Sequence, residues 1–221
     1  MASKPAPSHH HNPGFMTGLS LLLPITLSTM AVVLLAPIIP QMVDEYKFLS
    51  NFEYWVPMAV TIPALCVAII SPIGGMLGDY FGRRKLLIWS LALYGFVGVA
   101  PVFISDFKLL FLTRIGVGIT EGMIMVLTTT MIGDYFKGET RDKWLAAQTA
   151  VASMSALVFF NVGGILGAIS WRMPFWVYGS AILMLVLVLA YTWEPSKSDP
   201  EEDAGAAPHN LDWSHFPWAV F

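Results

Sequence analysis

Arg114 and Glu121 are the two charges of LTRIGVGITEG, inside an otherwise uncharged run from residue 109 to residue 133. A charge near the middle of a bilayer costs at least about 2.5 to 3.5 kcal/mol, so such residues face a cavity or a partner and carry function by default. Their spacing of seven residues is nearly two helical turns. Both side chains then share one face, about 10 Å apart along the axis, too far for a tight pair. A carboxylate there can bind and release a proton or a cation, with the arginine as its modulator. The competing reading is a polar anchor, hydrogen-bonded to a neighbouring helix. Thr26, Ser28, Thr29 and Asn161 are further candidates to line a substrate cavity, though each can equally serve as interhelical glue.

A second set of charges is the segment GGMLGDYFGRRK, Gly74 to Lys85. Gly74, Gly78 and Gly82 are four apart, which would strip one helix face and let another helix approach closely. Asp79 sits at that approach, where a carboxylate can meet a guanidinium or a helix N-terminus. GDYFKGETRDK, Gly133 to Lys143, repeats the wording, so Arg83 can pair with Asp79 or with Asp134. The competing reading is two solvated loops whose basic residues only set topology.

These residues punctuate six apolar runs, at residues 5–43, 54–78, 86–105, 109–133, 144–171 and 173–193. Each is long enough to cross a bilayer, which takes about 20 apolar residues. Backbone groups in lipid must be satisfied within the segment, and no alternating barrel pattern is present, so the runs are predicted helices. Composition agrees: hydrophobic residues make up 56% of the chain and charged residues 12%, against about 25% charged in soluble domains. A net charge of −3 points to no nucleic-acid partner. Cys66 is the only cysteine, which excludes an intramolecular disulfide. His9, His10, His11, His209 and His215 all fall outside the expected spans, so no buried histidine metal site and no catalytic serine–histidine pair is expected. Phosphate-cradling glycine loops are absent as well. The chain reads as neither an enzyme nor a cofactor protein.

Eight Lys and Arg residues flank the spans on one side, against Lys47, Lys108 and Arg172 on the other. The eight-residue side is expected to be cytoplasmic, with both termini inside, in a plasma or bacterial inner membrane. Residues 1–14 form a cytoplasmic tail and residues 15–194 the six-span bundle, whose first helix should end near Pro40. The acidic, Pro- and Ala-rich stretch 195–212 is a cytoplasmic linker. Residues 213–221 are an amphipathic segment or the truncated start of a seventh span, the latter preferred.

The loop after the second run resembles the signature of the major facilitator superfamily of secondary transporters, in its amino-terminal six-helix half. Gly75, Leu77, Gly78, Asp79, Gly82, Arg83 and Arg84 stand at the signature positions, with Tyr80 where a base is usual. Arg114 followed by Gly118 resembles the family's fourth-helix motif, and APIIP, with Pro37 and Pro40, a first-helix motif. Phe159 and Phe160 replace the Gly and Pro of the antiporter motif, of which Gly163 and Gly164 remain.

The resemblance implies an all-α integral membrane fold, one bundle of six helices built as a 3+3 inverted repeat. It implies a conformational latch of Gly75, Asp79, Gly82, Arg83 and Arg84 with Asp134, in which the acid engages the second half, and ties Arg114 to proton coupling, with Glu121 the protonatable or cation-binding group on the reading of the buried charges above. The expected function is alternating-access transport of a small molecule such as a sugar, an organic acid or a drug, driven by a coupling proton. Its richness in aromatic residues and Met favours efflux. A second six-helix half, from a missing segment or a second chain, is an expected partner beside the lipid bilayer. The alternative is a non-transporting six-span protein that retains the half-fold.

Overall fold

The computed structural model describes residues 13–195. The expected tail up to residue 12, the linker beyond Pro195 and the segment 213–221 lie outside the described residues. Among the described residues, all regular structure is helical, in six long apolar helices: α1 (Phe15–Glu45), α2 (Phe52–Phe81), α3 (Arg83–Val102), α4 (Phe107–Tyr135), α5 (Gly138–Ile169) and α6 (Met173–Tyr191). The six expected spans are therefore present, in a protein that is integral to the membrane.

α1 does not end near Pro40. It continues to Glu45, because Pro40 falls in the first turn of the closing segment Ile39–Glu45, where a missing N–H removes no helical hydrogen bond. The helix is instead interrupted by two 3₁₀ turns, Leu23–Ile25 and Ala36–Ile38, each with a proline in its first turn. α2, by contrast, carries Pro57, Pro63 and Pro72 inside one helix. The Ser71 hydroxyl donates to the Val67 carbonyl at 2.7 Å beside the last of these.

α2 and α3 are separated by Gly82 alone, at φ +94°. That conformation removes Gly82 from the small-residue face expected from the spacing of Gly74, Gly78 and Gly82. Gly74 and Gly78 do face α4, against Met123 and Leu127, whereas Gly82 faces Glu194. On the α4 side, a Cβ at Gly118 would lie 2.6 Å from the Pro63 carbonyl, so α2 and α4 touch backbone to backbone there. α4 starts at Asp106, whose carboxylate accepts from the Leu109 amide at 3.1 Å, a helix cap.

The packing maps onto itself when the first three helices are exchanged for the last three. α2 packs on α4 as α5 packs on α1, α3 on α4 as α6 on α1, and α3 faces α6. Consecutive spans run in opposite directions, so helices related by this exchange are inverted, a 3+3 repeat. α1 and α4 are the central pair, each with 56% of its apolar window buried.

Gly163 of α5 lies directly against the Leu34 carbonyl of α1, while Gly164 next to it has open space. Gly163→Ala should therefore destabilise the bundle by about 1–3 kcal/mol through overpacking. Gly164→Ala should leave it unchanged or raise it through helix propensity. Thermal unfolding of the two variants in detergent checks this, and equal melting would contradict the packing.

Candidate functional site

Arg114 and Glu121 project from α4 into the bundle, with 1% and 5% of their surfaces exposed. Arg114 reaches α6 and α3: Nη1 donates to the Tyr178 hydroxyl at 3.1 Å and Nη2 to the Gly98 carbonyl at 3.4 Å. Its guanidinium carbon is 5.0 Å from the centroids of both the Phe175 and Tyr178 rings, within cation–π range. Gly98 makes room for this arrangement, since a Cβ there would fall 2.5 Å from the Tyr178 ring. Arg114 Nε and Glu121 Oε2 are buried without a hydrogen-bond partner among the described residues. Arg114 and Glu121 form no ion pair there, as their spacing leads one to expect.

Two tyrosines tie this centre to α1. Tyr178 donates to the Ala31 carbonyl at 3.2 Å and Tyr94 to the Leu27 carbonyl at 2.9 Å, with their rings 5.5 Å apart. Neither is visible as functional in the sequence, where each is one aromatic among many. Gln148 is a further buried polar group, accepting from the Thr129 hydroxyl at 3.3 Å.

The cavity candidates Thr26, Ser28, Thr29 and Asn161 each make a separate backbone contact, Ser28 to the Ile25 carbonyl at 2.8 Å. The Thr26 hydroxyl turns back to the Leu23 carbonyl at 2.8 Å, and Thr29 bonds the Ala152 carbonyl of α5 at 3.2 Å. Asn161 is exposed on α5, its amide donating to the Leu157 carbonyl at 2.7 Å. A cavity of about 480 Å³, lined by Leu49, Ser50, Trp55, Phe107, Lys108 and Phe111, lies at the opposite end from Arg83. None of the candidate residues lines it.

At the Arg83 end the charges do converge. Arg83 donates through Nη2 and Nε to Asp79 Oδ1, at 2.7 and 3.0 Å, and through Nη1 to Asp134. It thereby joins the end of α2 to the end of α4. Gly75 makes only ordinary contact with Val126.

Arg84 joins a different partner, the chain leaving α6. Its backbone N–H donates to Glu194 Oε1 at 3.2 Å, its Nε to the Thr192 hydroxyl at 3.3 Å and its Nη2 to the Leu189 carbonyl at 3.1 Å. Glu194 thus satisfies a first-turn donor of α3 that no local side chain can cap. The absence of a Cβ at Gly82 gives the carboxylate its place, 3.0 Å from where that atom would be. Tyr135 stacks on Trp193 at 4.6 Å, donates to its carbonyl and accepts from its N–H. Glu194 escapes the sequence reading because it stands as the last residue of the expected bundle, beside an acidic linker, with nothing in its surroundings to name a partner. No group of three metal-ligating side chains occurs among the described residues.

Known proteins share this architecture. Quinolone resistance protein NorA of Staphylococcus aureus is 28% identical over 159 residues, covering 72% of this chain and 40% of that protein. The MFS-type transporter YceJ of Bacillus subtilis is 26% identical over 163 residues, 71% of this chain and 40% of its own length. The chain thus spans about 40% of the curated relatives it matches. Among solved structures, a D-xylose-proton symporter superposes with a TM-score of 0.73 at 18% identity, over 90% of this chain and 53% of that one. An inward-facing bacterial homologue of the lysosomal transporter Spinster superposes with a TM-score of 0.66 at 20% identity, over 85% and 46%. The model of the Major Facilitator Superfamily matches residues 21–220, and the chain belongs to that family of membrane transporters.

Proposed function

We propose that this bundle is one half of a secondary active transporter that works by alternating access against a second six-helix half, coupled to protons. The observation that carries the coupling is the pair of buried charges on α4, an arginine held by aromatic rings and a carboxylate with one oxygen unpartnered among the described residues. Carboxylates at membrane depth mark proton and ion pathways. No nucleotide-hydrolysing loop is needed for such a machine, and the driving force is an ion gradient. The name of NorA makes an amphipathic quinolone the first substrate class to test, with efflux as the direction. That of the D-xylose-proton symporter makes a pentose the second. In this reading the Arg83 end and both termini face the cytoplasm, following the excess of basic residues there.

The Arg83 cluster serves as the latch of one conformational state. Asp79 and Asp134 hold the guanidinium between two helix ends, and closure against the other half would add a contact to Asp79, the more exposed of the two acids.

Uptake into proteoliposomes carrying the full transporter, with and without a proton gradient, tests the function. With Glu121→Gln, gradient-driven flux of the transported probe should fall about tenfold or more, within the range of site-to-site coupling energies, and its pH dependence should flatten. Unchanged pH dependence would remove Glu121 from coupling. A preparation that moves neither probe under any gradient would support the non-transporting six-span alternative.

The latch has its own measurement. A double-mutant cycle of Arg83→Gln with Asp134→Asn, read by thermal unfolding, should give a coupling energy of about 1 kcal/mol, modest because both groups are partly solvated. Additive effects would mean that the pair contributes nothing to the closed end.

A further inference from the structure

The Tyr178 hydroxyl stands between the charge centre and α1, in a side chain with 0% of its surface exposed. It accepts from Arg114 Nη1 at 3.1 Å and donates to the Ala31 carbonyl at 3.2 Å. A phenol has one proton to give. With a guanidinium on its acceptor side, that proton is left for α1. Ala31 belongs to the segment Thr26–Val33, which lies between the two 3₁₀ turns of α1. The first span is thus held by Tyr178 where its own helix is broken on either side.

The surroundings leave Arg114 few alternatives. It is enclosed by the Phe175 and Tyr178 rings, and its Nε has no hydrogen-bond partner among the described residues. Glu121 lies further along the same helix, with Oε2 likewise unpartnered. The ionisable groups within electrostatic reach of that carboxyl are Arg114 on α4, Tyr94 on α3, Tyr178 on α6 and Cys66 on α2. α1 and α5 present none, being free of ionisable side chains over residues 15–43 and 144–169. Among the described residues, Arg114 is therefore the one cation that can answer a charge on Glu121.

We propose that Tyr178 is a positioning residue that transmits the charge state of Glu121 to α1. An ionised Glu121 attracts the guanidinium; turning toward it breaks the Arg114–Tyr178 bond, and the freed hydroxyl loosens its hold on Ala31. A protonated Glu121 leaves Arg114 on Tyr178 and α1 fixed. The proposal rests on the coupling role of Glu121 and adds the route by which it reaches α1.

The test is amide hydrogen exchange of residues 23–38 in the full transporter in lipid nanodiscs, corrected for intrinsic rates and followed against pH. The carboxyl band of Glu121, identified by its loss in Glu121→Gln, is recorded in parallel by infrared spectroscopy. In the parent protein, exchange of this segment should rise about fivefold or more as the band disappears, a change in the range of site-to-site couplings. Tyr178→Phe removes only the hydroxyl; the band should still titrate while the exchange no longer follows it. Tyr94→Phe removes a like bond to α1 that does not involve Arg114, and should preserve the pH response. Retention of the response in Tyr178→Phe, or its equal loss in Tyr94→Phe, overturns the proposal. A band that never titrates in the parent overturns the coupling role itself and the relay with it, an outcome set apart by the infrared record.

Discussion

A guanidinium buried between α3, α4 and α6 sets the terms for much of this structure. Arg114 carries a full charge with 1% of its surface exposed, and in an apolar interior such a charge persists only if groups of opposite polarity surround it. The bundle supplies a phenol oxygen, one backbone carbonyl and two ring faces. None of these is an anion. The guanidinium is solvated rather than neutralised, which leaves its charge available to the carboxylate further along α4. Supplying those partners requires α3 and α6 to come close, and Gly98 is the residue that lets the Tyr178 ring into position.

The same requirement explains why the helices with most contacts are rich in glycine where they cross. Apolar side chains gain little from facing one another instead of lipid, so close backbone approach and interhelical hydrogen bonds hold a membrane bundle together. Gly118 and Gly122 of α4 meet α2 backbone, and Gly163 meets the carbonyl of Leu34 on α1. Between these contacts run the polar ties, Thr29 to Ala152 and the two tyrosines to α1. At the Arg83 end, where water is near, ion pairs take over, and Glu194 fastens the chain leaving α6 to the start of α3.

The spans were legible because lipid admits only one solution for an uncharged run of this length, and the buried pair was legible because ionisable residues are so rare inside such runs. Partner identity was not. Arg83 meets both acids that the repeated GDYF wording suggested, yet Arg84 beside it binds Glu194, at a distance of 110 positions that no local pattern encodes. Gly82 read as part of a packing face because spacing by four is a helical signal; its positive φ ends the helix before that spacing applies. Pro40 read as a stop, although a proline in a first turn starts a helix as readily as one after a last turn ends it. Tyr178 had no signal at all, since its role depends on two hydrogen bonds to residues far away in sequence.

α4 and α1 are the central helices and pseudo-equivalent members of the repeat, but they are built to respond differently. α4 is one unbroken helix from Phe107 to Tyr135, carrying Arg114 and Glu121 within it and Asp134 and Tyr135 at its end. Any force on one of those groups is resisted by a continuous ladder of backbone hydrogen bonds. α1 is divided by two 3₁₀ turns with prolines, so its middle segment can shift by adjusting torsions at two short stretches. The charges sit on the stiff member of the pair, while the tyrosine hydroxyls grip the compliant one. A perturbation that begins at Glu121 would therefore meet least resistance in α1, while the rigid member keeps the Arg83–Asp134 pair in place at its end.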